Sequence, residues 1–302
     1  MEKYYEKNNQ IIYNCDNLEL LKNLEDKSIN LIYCDILYNT GKVFDDYNDN
    51  LGGPKEALEW YKPRIIEMKR VLKDNGSIFL HCNWRIDSYI RILLDEIFGI
   101  DCFRNRIYRK HSNERGFYNN FDSQMDVILY YSKDKNNFVF NEIKDDYERV
   151  SPLFENGYVE LRSKTINLGD NIVEFKSKNK HCLVNESKLK DLYVKGEITL
   201  IDNLPYRKSF VKPIGNLWDE DNMLDEYNRS KIADSYDTPK PEAILERVIK
   251  VCSNEGDTIA DFFLGGGTTA VVASKLNRKG IYCDISKKAC DVTINKLKNL
   301  EK

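Results

Sequence analysis

Two clusters of residues in this chain of 302 could do chemistry. The first is Asp35-Ile36-Leu37-Tyr38-Asn39-Thr40-Gly41, a carboxylate at the end of an apolar run with an aromatic three residues on. That pairing suits methylation of an exocyclic amine on a nucleobase. Such an amine is a poor nucleophile, because its lone pair is delocalised into the ring. Asp35 can accept one N–H and the Ile36 carbonyl the other, which localises the lone pair toward an incoming methyl group. Tyr38 can stack on a base swung out of its helix. No covalent intermediate is needed, so positioning and local electrostatics carry the rate. A strand end with an N-capping Asp and a core Tyr reads the same way; the cluster therefore needs a partner.

The partner is Asp261-Phe262-Phe263-Leu264-Gly265-Gly266-Gly267-Thr268-Thr269, followed by a strand that ends in Asp284. Glycines let a backbone pass close to a ligand because no Cβ blocks the approach. An acidic group at the end of the next strand is placed to accept hydrogen bonds from ribose hydroxyls. Glycines alone would mark only a tight turn, and a dinucleotide is the competing ligand. Against a dinucleotide, Asp261 stands at the mouth of the loop, where a pyrophosphate would meet its charge. A sulfonium nucleoside without phosphate has no such conflict, and Asp261 would attract it.

Both clusters need a scaffold, and the hydropathy pattern supplies one. QIIYNC reads as a strand, NLELLKNLED as an amphipathic helix, and SINLIYCDI as a strand buried on both faces. PKEALEWYKPRIIEMKRVLKDNG reads as a helix stopped by Asn-Gly, SIFLHC as a strand, and DSYIRILLDEIFG as a helix ended by glycine. The rhythm returns with a helix over PEAILERVIKVCS, a strand over DTIADFF, a glycine turn opening a helix, the strand GIYCDIS and a closing helix. This alternation predicts an α/β fold with a doubly wound, mostly parallel sheet. Ligands then bind at the carboxyl ends of the strands, where Asp35 and Asp261 stand. From residue 104 to 235 the rhythm fails. MDVILYYSK still reads as a strand, but the rest is short, charged pieces, which predicts an inserted recognition region between core segments 1–103 and 236–302.

Composition narrows the class. Hydrophobic residues are 41% and charged residues 31%, ordinary for a globular protein. No apolar run approaches the roughly 18 residues that span a bilayer, and the polar start MEKYYEKNNQ is no signal peptide; the expectation is cytoplasmic. Eight scattered cysteines without a CxxC pair, and three histidines at 81, 111 and 181, argue against a zinc site and a disulfide framework. No metal is expected.

These motifs resemble those of the amino-methyltransferases of DNA restriction–modification systems, of the permuted β class. In that class the catalytic motif, Asp-Pro-Pro-Tyr for adenine N6 and usually Ser-Pro-Pro-Tyr for cytosine N4, precedes the cofactor motif, Asp-Pro-Phe-x-Gly-x-Gly-Thr-Thr. Thr-Pro-Lys-Pro at 238–241 is similar to the segment before the cofactor motif, and Cys15-Asp16-Asn17-Leu18 to the strand end that meets the cofactor adenine. The resemblance covers about residues 10–133 and 236–295. It implies S-adenosylmethionine as cofactor, double-stranded DNA as substrate, and N6 of adenine as target, since the motif begins with Asp35. Cofactor contacts are implied for Asp16, Asp35, Lys240, Asp261, Phe262, Phe263, Gly265, Gly267, Thr268, Thr269 and Asp284. A homodimer and a restriction endonuclease acting on the same site are the implied partners. Two departures stand out: Ile36 and Leu37 replace both prolines, and Phe262 replaces a third. Proline's stiffness is lost, while the acceptor carbonyl of Ile36 is kept. A cytosine-N4 enzyme and an inactive DNA-binding homologue are the alternatives, ahead of an RNA or protein methyltransferase.

A net charge of −3 gives no global basic footprint, so a DNA surface must be local. Arg104, Arg106, Arg109, Lys110 and Arg115 crowd together with Tyr108, Phe117 and Tyr118 among them. That combination fits phosphate contact and stacking as well as it fits a solvated loop. Arg207 and Lys208, with Lys212, form a second, smaller group in the insert.

Overall fold

Ile29–Asp35 forms a strand with six of its seven residues buried, and the rest of the architecture follows from the need to cover both its faces. The computed structural model describes residues 1–44, 46–110, 124–142, 149–156, 164–168, 171–175, 180–182, 185–201, 204–209, 215–219 and 240–300. In chain order the first elements are β1 (Tyr5–Lys7), β2 (Gln10–Asn14), α1 (Asn17–Asn23), β3 (Ile29–Asp35), α2 (Pro54–Val71), β4 (Leu72–Cys82), α3 (Asp87–Phe98), β5 (Phe103–Lys110) and β6 (Met125–Ser132). A second group comprises β7 (Arg149–Pro152), β8 (Phe154–Asn156), β9 (Lys164–Leu168), β10 (Asn171–Phe175), β11 (Lys180–Cys182), α4 (Glu186–Val194), β12 (Ile198–Ile201) and β13 (Leu204–Ser209). The last group is β14 (Leu217–Asp219), α5 (Glu242–Cys252), β15 (Thr258–Asp261), α6 (Thr268–Lys275), β16 (Lys279–Asp284) and α7 (Lys287–Asn299).

Nine strands make one sheet in the order β1-β2-β16-β15-β3-β4-β6-β5-β14. Five of its eight strand pairs are parallel. Alternate residues of each strand face opposite sides. Ile32 and Cys34 of β3 pack with Leu20 and Leu21 of α1, Ile65 and Met68 of α2 and Ile90 and Leu94 of α3. Ile12 and Tyr282 pack on the other face with Ala270 of α6 and Ile294 and Leu297 of α7. Each leucine, isoleucine or methionine among them contributes about 1.5–3 kcal/mol of burial, so the two layers hold the strand ends rigidly. No described helix is long and apolar enough to cross a membrane.

The chain divides into two units, 1–141 with 215–302 and 142–214. The boundaries therefore differ from 103/104 and 235/236. β5, β6 and β14 belong to the large sheet, with β6 pairing antiparallel to both β4 and β5. The smaller unit holds antiparallel pairs β9–β10 and β8–β11, a three-stranded β12-β13-β7 sheet, and α4, capped by the Asn185 side chain. One helix also ends sooner than its sequence suggests. Leu72 turns extended and pairs with Ile29, so Leu72–Gly76 begins β4 instead of finishing α2. Gly76 is required there, since a Cβ would lie 2.9 Å from the Asn30 carbonyl oxygen.

Candidate active site

Because β2, β16, β15 and β3 are mutually parallel, their carboxyl ends share one edge of the sheet. That edge carries Asp16, Asp284, Asp261 and Asp35 in adjacent positions.

The half formed by β2, β15 and β16 is fastened by backbone amides on Asp261 and Asp284 and by side chains around Asp16. Asp16 caps α1 through Leu18 N at 2.8 Å and receives Arg64 Nη2 at 2.8 Å. Arg64, 6% exposed on α2, also donates to Asn17 Oδ1 at 2.7 Å and lies 3.5 Å from the centre of the Trp60 ring. Asn17 in turn donates to the Phe262 carbonyl. Asp261 is buried, accepting from Thr269 Oγ1 at 2.6 Å and Phe263 N at 3.0 Å, and burial raises its carboxyl to about 7. Asp284 accepts from Gly265 N and Ser286 N, both at 2.8 Å, and burial raises its carboxyl too. Gly265 and Gly267 adopt left-handed φ of 49° and 76°. At 267 a Cβ would sit 2.2 Å from Thr293 Oγ1, so only glycine fits between the loop and α7. Thr268 donates to the Lys240 carbonyl at 3.3 Å. Phe263 is partly buried 6.1 Å from the Trp60 ring, whereas Phe262 is 1% exposed in the core. The Phe262 side chain is thus packed in the core, unlike that of Phe263.

These partners test the ligand. The amides of Phe263 and Gly265 point at carboxylates, and Gly267 N donates to the Leu264 carbonyl at 2.9 Å. A pyrophosphate would need such amides, which Asp261 and Asp284 already occupy. A sulfonium nucleoside fits this acidic, phosphate-free edge.

The β3–β4 half is fastened by side chains. Asp35 Oδ1 accepts from Tyr38 OH at 2.8 Å, and Oδ2 pairs with Lys240 Nζ at 2.7 Å. Tyr38 keeps its proton, its hydroxyl pushed well up by burial and then by the Asp35 charge. The backbone that follows is pinned throughout. Ile36 N donates to the His81 carbonyl at 3.1 Å, Tyr61 OH to the Leu37 carbonyl at 2.8 Å, and Asn39 N and Thr40 N to the buried Asp49 carboxylate. Stiffness that prolines would have given comes here from hydrogen bonds.

His81, fully buried on β4 and in register with Asp35, is the residue that the sequence did not single out. Its Nδ1 lies 2.8 Å from Tyr33 OH and 3.8 Å from Asp35 Oδ1. Its Nε2 lies 3.5 Å from Asp126 Oδ2, which Arg109 holds at 3.1 Å. Burial lowers the imidazole's pKa, against the opposing pull of Asp126 and Asp35. Burial also acts to raise the Asp126 carboxyl, but His81, Lys240 and Arg109 bring it down to about 2. Arg64, Asp49 and Asp126 were equally unforeseen. The one available signal was SIFLHC itself, a histidine inside an otherwise apolar central strand.

The basic stretch differs from expectation. Arg104 donates to Ser132 Oγ and the Asp101 carbonyl, Arg106 to Asp87 at 2.6 Å, and Arg109 is 8% exposed against Asp126. Arg109 is therefore a structural ion pair and presents no charge to a phosphate, because β5 is a strand of the main sheet. Lys110 ends that strand, and Arg115 lies outside the described residues. Arg207, exposed in the smaller unit, pairs with Glu197 at 3.3 Å, and the Lys208 amide donates to the Glu197 carbonyl.

A parallel sheet with acidic strand ends, a glycine loop and an Asp–Tyr pair is the arrangement of a nucleoside-dependent methyltransferase. The chain belongs to the DNA methylase family of N6/N4 type, whose family model matches residues 29–296. It is a DNA methyltransferase, and enzymes of this family take their methyl group from S-adenosylmethionine. It is similar to the type II methyltransferase M.EcaI of Enterobacter cloacae, with 31% identity over 92% of this chain and 67% of the relative. It is similar also to the DNA adenine methyltransferase YhdJ of Escherichia coli K12, at 28% identity over 93% of this chain and 80% of YhdJ. Among solved structures, the cytosine-N4-specific PvuII DNA methyltransferase shares the fold, with a TM-score of 0.57 and 14% identity over 95% of this chain and 86% of that one.

Proposed function

We propose that the enzyme methylates N6 of adenine in a base flipped out of double-stranded DNA. The observation that carries this reading is the Asp35 carboxylate, held by Tyr38 and Lys240 beside the glycine loop. S-adenosylmethionine, when bound, supplies a methyl group made electrophilic by the sulfonium charge. Asp16 and Asp284 would hold its adenosine, the glycine loop would leave room for its backbone, and Lys240 would meet its carboxylate. Asp35 accepts one N–H of the target amine and the Ile36 carbonyl the other, while the Tyr38 ring stacks on the base. Enclosure of the pair in a low-dielectric edge strengthens both hydrogen bonds as charge develops. The carboxylate at the head of the motif favours adenine over cytosine, and the likeness to an adenine methyltransferase agrees with it. The unit 142–214, with Arg207 and Lys208, is the target-recognition region in this reading. Mass spectrometry of nucleosides from treated duplex DNA tests it. N6-methyladenine is the expected product; N4-methylcytosine would correct the base, and no modified base would point to an inactive DNA-binding homologue.

A further inference from the structure

We propose that the turn between β4 and α3 is a DNA contact, in which Trp84 stacks on a base left unpaired beside the flipped target and Arg85 meets a phosphate. The inference rests on the base-flipping reading above and holds whichever base is methylated.

The place of the turn comes first. β3 and β4 are parallel neighbours, and Asp35 pairs in register with His81. Trp84 follows His81 by three positions, so residues 83–86 stand on the same edge as Asp35, one strand over. β6 runs antiparallel to β4, and its first residue, the exposed Met125, is on that edge too. A duplex that delivers a base to Asp35 must come against this edge.

The turn is built to hold its tip still. Asn83 is buried behind it and accepts Arg85 N on its side-chain oxygen at 3.0 Å. The Asn83 carbonyl accepts Ile86 N at 3.2 Å and Asp87 N at 3.0 Å, and Ile86 packs into the core. Between these two anchors Trp84 is 58% exposed. Single exposed apolar side chains are ordinary. An indole held out by a buried asparagine on the reactive edge, with an arginine on its face, is a more specific arrangement.

The Arg85 guanidinium lies 4.5 Å from the centre of the Trp84 ring. An arginine stacked on an aromatic keeps its N–H edge for an anion. Among the described residues no carboxylate takes that edge, because Asp87, the nearest acid in the chain, is held by Arg106 at 2.6 Å. Arg106 and Arg109 are thus engaged within the fold, whereas Arg85 is not. The edge otherwise carries Asp16, Asp35, Asp261 and Asp284, which repel phosphate, and Arg85 offsets that charge. A base swung out of a duplex leaves neighbours unstacked. An indole can stack on any of them, since every base has a π-face.

The test is binding of two labelled mixed-sequence duplexes, read by fluorescence anisotropy with S-adenosylhomocysteine present. One is fully paired, and the other has a short unpaired bubble, where flipping costs least. Trp84→Ala should weaken binding to the bubble about tenfold, the scale of one lost base–aromatic stack, and binding to the paired duplex far less. Trp84→Phe should recover most of that loss. Arg85→Gln should flatten the salt dependence on both duplexes by about one unit of slope. Affinity for S-adenosylhomocysteine by calorimetry and the thermal unfolding midpoint should be unchanged in all three variants. A Trp84→Ala enzyme with unaltered affinity for the bubble overturns the proposal, as does an Arg85→Gln enzyme with an unaltered salt slope. Unaltered DNA binding with a changed sedimentation coefficient overturns it in favour of a contact between copies of the chain. If the unaltered enzyme methylates cytosine or no base while the variants behave as expected, the adenine reading fails and the contact stands.

Discussion

The two halves of the reactive edge are held together by different chemistry. Around β15 and β16 the carboxylates are satisfied mainly by main-chain amides, at Gly265, Phe263 and Ser286, together with the Thr269 hydroxyl on Asp261. Around β3 and β4 they are satisfied by side chains, at Tyr38, Lys240, His81 and Arg109. Amides fixed in a loop cannot move a proton, and they suit a cradle. Hydroxyl, ammonium and imidazole groups can gain, lose or exchange protons, and they suit a reaction. Substitutions in the two halves should therefore fail differently.

The largest effect belongs to the side-chain half. Asp35→Asn should reduce methyl transfer by at least about 1,000-fold, the scale of losing a preorganised charge stabiliser. Its affinity for S-adenosylhomocysteine should stay within about threefold, since only a difference between ground and transition states is removed. A parallel loss of affinity, read by calorimetry, would place Asp35 in the cradle instead.

Next comes the buried charge pair of Arg109 and Asp126. Arg109→Met leaves Asp126 buried without its guanidinium, which should cost about 3–5 kcal/mol of stability in urea unfolding. In any fraction that folds, the salt dependence of DNA binding should be unchanged. Arg207→Ala, by contrast, should flatten that dependence by about one unit of slope if it meets a phosphate, with stability untouched. The reverse pattern would restore β5 as a DNA surface.

In the amide half, Asp261 makes a pH prediction. Its folded carboxyl, raised to about 7, holds a proton that the unfolded chain releases near pH 4. The folded state thus binds more protons between those limits, and stability falls as pH rises through them. Between pH 5 and 7.5 the loss from this group should be about 2–3 kcal/mol. Asp261→Asn should remove that slope in denaturation at the two pH values. A slope that survives would assign it to another group.

The smallest effect is at Asp284. Asp284→Ala should weaken cofactor binding by about 1–3 kcal/mol, the cost of unpaired buried partners, and leave the rate at saturating cofactor nearly unchanged. A large fall in that rate would mean that the loop it fastens also positions the base.

What the sequence revealed follows the same division. Glycines at 265 and 267 advertise a backbone conformation, and the apolar run into Asp35 advertises a central strand, so the parallel sheet and its edge were legible. His81, Asp126, Arg64 and Asp49 were not, because each works through a partner distant in the chain: Arg64 is 48 positions from Asp16, and His81 is 48 from Tyr33. Paired arginines also hid β5. A strand that buries Arg109 against Asp126 has the composition of a basic surface loop until its partner is known. The missing prolines were legible as a loss but not as a substitution, since Asp49 and Tyr61 supply their stiffness from outside the motif.

The position of β15 has a kinetic consequence. Leu31 of β3 pairs with Ile259 of β15, and Ile12 of β2 pairs with Tyr282 of β16. During synthesis β2 and β3 thus emerge long before the strands that separate them, and β3 is left with an open hydrogen-bonding edge until the last fifth of these residues arrives. Such distant pairings make folding slow, because loop closure must precede the contacts that reward it, and an apolar open edge invites pairing with other chains. The nascent protein is accordingly expected to depend on chaperones in the interval. The cofactor loop is also made only then, so a chain still short of β15 carries Asp35 without the cradle that would serve it.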